Sequence, residues 1–370
     1  MKITHIEAIP VKVPIRPQVA ITSSLGSHTY SPFLMLKVHT DEGLVGLGEV
    51  SCTPRWSGED HFTSRHLIHE YLEPRLIGQN PLDIEAAGQI MGRALANNPF
   101  AKSGVEMALW DILGKAANLP LYRLLGGAVR ETVALKFSIS GAAPAKAAEL
   151  ARWAVEQGFR TMKVKVAMGR EDLERVSAIR EAIGDQIRLG VDANGGWSAR
   201  EAVQEVRRMM AYGIYFVEQP VAPRDVSWMA EVRSQIDLPV MADESLYTLQ
   251  DAMALVRAQA ADMFSIYVGK SGITAARKIA GVAEAAGLIC TIGSNMELGV
   301  AQAAMIHLAI ATPGIDPDTV PCDILSHLFY DTNLLTEPLP IANAEARAPQ
   351  KPGLGVELDE ESIRRYRVDL

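Results

Sequence analysis

The chain has 370 residues, 48% of them hydrophobic, which is enough for one large core and a smaller companion domain. Its 36 basic and 44 acidic residues give a net charge of −8 without a basic cluster. That excludes an electrostatic footprint for nucleic acid or anionic lipid and leaves small molecules as the expected partners. The start, Met1-Lys2-Ile3-Thr4-His5, carries charge where a signal peptide needs apolar residues, and no apolar run approaches membrane-spanning length. A cytoplasmic protein is expected. Cys52, Cys290 and Cys322 are odd in number and far apart, so neither a disulfide framework nor a zinc site is supported.

Residues 1–130 open with β-branched stretches at Ile3–Val13 and Phe33–Thr40, and Asp41-Glu42-Gly43 reads as a hairpin turn. Helical periodicity follows at about His61–Ile77, Pro81–Ala96 and Ala101–Ala117, predicting an α+β domain. From residue 131 to about 340, short apolar runs alternate with amphipathic stretches, the pattern of βα units around a parallel sheet. Strands are predicted at Val133–Ser138, Thr161–Val166, Ile187–Ala193, Ile214–Gln219, Pro239–Glu244, Asp262–Val268, Ile289–Gly293 and Val320–Leu325. Eight units in this span suit a (β/α) barrel of the TIM type, whose catalytic groups sit at the C-terminal strand ends.

Those strand ends carry a register of ionisable residues. Lys165, Asp192, Glu218, Asp243, Lys270, Glu297 and Asp323 follow one another at intervals of 27, 26, 25, 27, 27 and 26 residues, about one βα unit each. The series places successive charges around one mouth. Asp192, Glu218 and Asp243, on consecutive strands without His or Cys, are hard oxygen ligands suited to Mg²⁺, with Mn²⁺ an alternative. Lys163 and Lys165 flank Val164 and so point to the same side of their strand. Repulsion between two ammonium groups lowers the pKa of one of them, which makes a neutral lysine available as a general base. Lys270 lies across the mouth from Lys165, where it meets the other face of a bound substrate.

These residues resemble the enolase superfamily, specifically its muconate-lactonising subgroup. The resemblance includes Asp41-Glu42-Gly43-Leu44-Val45-Gly46-Leu47-Gly48-Glu49, Glu106-Met107-Ala108-Leu109-Trp110-Asp111, Leu124-Leu125-Gly126-Gly127 and Pro352-Gly353-Leu354-Gly355-Val356, and so covers nearly the whole chain. It implies a capping domain over a modified (β/α)7β barrel, with the segment 341–370 returning to the cap. It also implies Lys165 as acid/base, Lys163 as the neighbour that lowers its pKa, Lys270 on the opposite face, and Asp192, Glu218 and Asp243 as Mg²⁺ ligands. Substrate contacts are expected from Asn194, Ser294, Glu297 and Asp323, with Glu297 orienting either Lys270 or the substrate. Further contacts are expected from the loops Thr22–Tyr30 (His28, Tyr30) and Thr53–Gly58 (Arg55). The implied chemistry is proton transfer next to a carboxylate through an enolate, in a homo-oligomer acting on a small carboxylate. Muconate-type cycloisomerisation leads, ahead of racemisation or epimerisation of an amino-acid derivative and dehydration of a hydroxy acid. A metal-binding barrel without activity is disfavoured by the intact lysine pair.

Overall fold

A computed structural model describes residues 1–369. The chain opens with β1 (Ile3–Pro14), followed by a small hairpin of β2 (Ile21–Ser23) and β3 (Gly26–His28). The strands β4 (Tyr30–Thr40) and β5 (Val45–Ser51) complete an antiparallel sheet in the order β1-β4-β5. The turn between β4 and β5 needs a glycine: Gly43 sits at φ 81°, in the left-handed region.

The helix Pro99–Ala117 lies on β5 so closely that a Cβ at Gly46 or Gly48 would strike the carbonyls of Ala108 and Gly104. This explains the spacing of those two glycines. The helix has no capping side chain of its own at Asn98. Glu59 supplies the cap from a distance, accepting from the backbone N–H groups of Phe100 and Ala101 at 3.0 Å each. A helix N-terminus leaves such donors unpaired, and a cap of this kind is worth about 1 kcal/mol.

The second domain is a seven-stranded parallel sheet. Its strands are β7 (Phe137–Ile139), β8 (Thr161–Lys165), β9 (Arg188–Asp192), β10 (Ile214–Glu218), β11 (Val240–Ala242), β12 (Met263–Ile266) and β13 (Ile289–Ile292), in sequential order with helices between them. Two expectations change. The stretch Val133–Ser138 is broken, because β6 (Val133–Ala134) pairs with the returning segment at Glu345–Ala346 instead of continuing into β7. The eighth stretch, Val320–Leu325, forms a bridge rather than a strand. Cys322 N–H donates to Ala134 O, Lys136 N–H to Cys322 O, and Asp323 N–H to Ile292 O, so the segment joins both edges of the sheet and curls it shut. Pro321 has no N–H to extend a ladder there.

The interior is packed in layers, with Phe216, Met241, Met263 and Val320 forming a plug, and the Phe216 ring occupies the space that a side chain at Gly190 would need. Cap and barrel share polar links. Glu49 of β5, fully buried, accepts from Leu298 N–H at 2.7 Å and Ala301 N–H at 3.0 Å, at the start of the barrel helix Gly299–Ala311. The returning C-terminal segment docks on the cap, where Asp111 accepts from Leu354 N–H at 2.7 Å and Val368 N–H donates to Pro10 O. No helix among the described residues is long and apolar enough to cross a membrane.

Candidate active site

The parallel register brings the first half of the charged series together, since Lys165 pairs with Asp192 across β8 and β9, and Asp192 with Glu218 across β9 and β10. Lys163 and Lys165 point the same way, as alternation along a strand requires. Lys165 Nζ donates to Asp192 Oδ2 at 2.7 Å. Lys163 Nζ donates to Glu218 Oε1 at 2.8 Å and lies 3.1 Å from Asp192 Oδ2 and 3.5 Å from Asp323 Oδ2. Asp192 thus bridges the two ammonium groups, and the repulsion expected between them is offset by a shared carboxylate.

Burial opposes the charge on Lys163, yet Glu218, Asp192 and Asp323 together hold its proton on well above the ordinary lysine range. Burial likewise opposes the charge on Asp192, but Lys165 and Lys163 keep its carboxyl below the usual range. Glu218 behaves oppositely: burial pushes it up to about 7, against the pull of Lys163.

Lys270 does not sit on a strand end. It lies in the first turn of the helix Val268–Ala285, fully buried, and its three N–H groups reach Asp243 Oδ1 at 2.7 Å, Asp243 O at 2.7 Å and Ser265 O at 3.0 Å. The rings of Tyr267, Tyr247 and Trp56 surround its ammonium at 4.4, 5.5 and 5.9 Å.

A cavity of about 70 Å³ opens over this floor, walled by Lys163, Lys165, Asn194, Asp243, Asp323 and Ser138 from the barrel. Ser23, Leu25, His28, Thr53 and Trp56 close it from the cap, and Ser294, Asn295 and Met296 from the loop after β13. Ser138 Oγ donates to Asp323 Oδ2 at 2.8 Å. Burial, then Lys165 and Arg55, disfavour a charge on His28.

Three of the residues expected to touch substrate lie elsewhere. Tyr30 is 48% exposed on the outer surface, with the Lys12 ammonium 3.5 Å above its ring. Arg55 is exposed and donates to Leu25 O at 3.0 Å, so it fastens one cap loop to the other from outside. Glu297 is fully buried outside the cavity lining, and the Lys270 N–H groups go to Asp243 and Ser265 rather than to it. It accepts from Ser294 Oγ at 2.6 Å and Asn295 N–H at 3.0 Å, and burial pushes it up to about 7.

Sequence reasoning passed over Trp56 and Glu244. Residues 54–57 form a helical turn, in which neighbours point about 100° apart; Arg55 therefore faces out while Trp56 turns in. Trp56 Nε1 donates to Glu244 Oε1 at 3.1 Å, and Asn194 Nδ2 donates to the same oxygen at 2.8 Å.

In the present side-chain arrangement, no three acidic or imidazole groups among the described residues converge closely enough to hold a cation, because Asp192, Glu218 and Asp243 each turn an oxygen to a lysine. The donor set nevertheless fits a hard divalent ion. Glu218 Oε2, Glu244 Oε2 and Asn194 Oδ1 are buried oxygens without a hydrogen-bond partner, an expensive condition unless a cation or its waters complete them.

Comparison with known proteins decides the family. Residues 4–126 match the mandelate racemase / muconate lactonizing enzyme N-terminal domain, and residues 146–362 the enolase C-terminal domain-like family. The chain belongs to the enolase superfamily, in its muconate-lactonising subgroup. Superfamily relatives include the N-succinyl-L-Arg/Lys racemase of Bacillus cereus, 34% identical over 100% of this chain and 98% of that protein. Its crystal structure superposes with a TM-score of 0.95 at 33% identity, covering 100% of this chain and 98% of that one. Muconate cycloisomerase 1 of Rhodococcus opacus is 32% identical over 99% of this chain and 98% of its own. Muconate lactonizing enzyme from Pseudomonas fluorescens, solved with muconolactone, gives a TM-score of 0.95 at 29% identity over 99% of both chains. As a superfamily member with such relatives, the chain is an enzyme of the isomerase type.

Proposed function

We propose that the chain catalyses Mg²⁺-dependent proton transfer at the carbon next to a substrate carboxylate, with Lys165 as the only proton-handling group, in the manner of a muconate-type cycloisomerase. The carrying observation is the unequal access of the two lysines. Lys165 lines the cavity, whereas Lys270 has all three N–H groups committed to Asp243 and Ser265. One-sided transfer needs a single mobile proton at the substrate carbon, and Lys165 is placed to hold it. Lys163, whose proton three carboxylates hold on well above the ordinary lysine range, places a fixed positive charge beside Lys165. Lys270 supplies fixed positive charge from the far side.

Asp192, Glu218 and Asp243 would hold the metal, which when bound supplies Lewis-acid stabilisation of the charge developing on the substrate carboxylate. Ser23, Leu25 and Trp56 exclude water from above. Racemisation or epimerisation of an N-acyl amino acid or dipeptide is a second reading, favoured by Asp323, whose carboxylate lines the cavity and would accept a substrate N–H. It also matches the racemase and epimerase relatives.

Turnover of muconate and of N-succinyl amino acids in D₂O tests both. Deuterium on one face of a lactone product, lost with EDTA and restored by Mg²⁺, is the expected result. Deuterium exchange at a stereocentre of either enantiomer, without lactone, replaces it with the second reading.

A further inference from the structure

Glu244 is no part of the acidic register that the strands present, yet it joins three parts of the molecule. Its Oε1 receives both the Asn194 amide at 2.8 Å and the Trp56 indole at 3.1 Å, one from the barrel and one from the cap. Its Oε2 is buried with no partner. Because the Asn194 nitrogen is spent on Glu244, the Asn194 oxygen is the atom left over, and it too is buried without a partner. Asn194 N–H in turn donates to Asp192 Oδ1 at 2.9 Å. The two acceptors left bare beside Asp192 and Asp243 are both oxygens, the donor type that divalent ions and their bound waters prefer.

Resting on the metal-dependent reading above, we infer that Glu244 is a positioning residue for the metal centre. It aims the Asn194 oxygen and its own Oε2 at the outer layer of the bound ion and, through Trp56, ties the cap to that ion's presence. Trp56 is well placed to report it. Its ring packs against Tyr267, Tyr247 and Phe100 at 5.7–5.9 Å between centroids and faces the Lys270 ammonium at 5.9 Å. Mg²⁺ arriving at Asp243 alters the charge around both its indole N–H and its ring face.

The test is a MgCl₂ titration of the full-length protein followed in parallel by calorimetry and by tryptophan fluorescence. The wild type should show one saturable fluorescence change whose midpoint equals the calorimetric one. Trp56→Phe should lose that change while still binding Mg²⁺, although four other tryptophans remain. Glu244→Gln, which replaces the bare Oε2 by an N–H donor, should bind Mg²⁺ about 10- to 100-fold more weakly with an unaltered circular dichroism spectrum. Wild-type affinity in Glu244→Gln, or an undiminished signal in Trp56→Phe, overturns the inference and leaves the metal reading standing. No calorimetric binding to the wild type would remove the metal reading itself. Should Glu244→Gln not fold, the Trp56→Phe arm decides alone.

Discussion

Lys165 and Lys270 carry the same functional group on opposite sides of one ring of carboxylates, β8 and β12 being four positions apart in the seven-stranded sheet that the 320–325 bridge curls shut. Their surroundings differ sharply. Lys165 ends a strand, keeps some exposure to the cavity and shares Asp192 with a second lysine. Lys270 is drawn into a helix turn, sealed by three aromatic rings and saturated by acceptors. Chemical identity therefore does not set the role. A mobile proton needs an accessible nitrogen with a hydrogen-bond position to spare, whereas a fixed charge is best held where every donor is occupied.

The sharpest break of this comparison is Lys165→Ala, which should lower turnover by about 10⁴-fold if Lys165 alone moves the proton. Residual activity within tenfold of wild type, measured on the natural reaction, would make the two lysines interchangeable. Lys270→Ala should slow turnover by roughly 10- to 100-fold if, as proposed, its charge stabilises and is not transferred. A loss as deep as that of Lys165→Ala, with α-hydrogen exchange retained, would give Lys270 an equal share in proton transfer.

Lys163→Met sharpens the comparison through pH. Three carboxylates hold the Lys163 proton on well above the ordinary lysine range, so Lys163 sets a positive charge beside Lys165. If that charge governs the proton step, removing it should move the rising limb of the pH–rate profile to higher pH. A profile that stays in place would show that Asp192 screens the pair completely. The smallest effects belong to Tyr30→Phe and Arg55→Ala. The first should change kcat/KM by less than about twofold, and the second by a few-fold through a looser Leu25 loop; a tenfold rise in KM for Tyr30→Phe would bring the outer surface into the site.

The sequence revealed most where chemistry and strand geometry coincide. Lys165, Asp192 and Glu218 end consecutive regular strands, with Lys163 on the same face two residues before Lys165, so counting along the chain amounted to counting around the mouth. It revealed less where the backbone leaves the regular path. Lys270 kept the spacing of the series although Tyr267 had already turned the chain into a helix. Val320–Leu325 has the composition of a strand, but Pro321 deprives it of a ladder donor. Between Arg55 and Trp56 the charged residue attracted the reading, and a single helical turn sent it outward. Glu244 was hidden beside Asp243 because strand alternation, which would separate them, ends at Ala242.

The buried carboxylate of Glu49, reaching from the cap sheet to the first turn of the helix Gly299–Ala311, bears on how such enzymes diversify. A side chain of one domain completes the backbone of the other. The two domains are therefore not exchangeable parts. A chimera that grafts a foreign cap onto this barrel inherits an uncapped helix unless it brings an acid at the position of Glu49, whereas the β2–β3 hairpin and the 53–58 turn can be swapped without touching that contact. A change of specificity that keeps this fold intact is therefore expected from edits to those loops within an unbroken pair of domains.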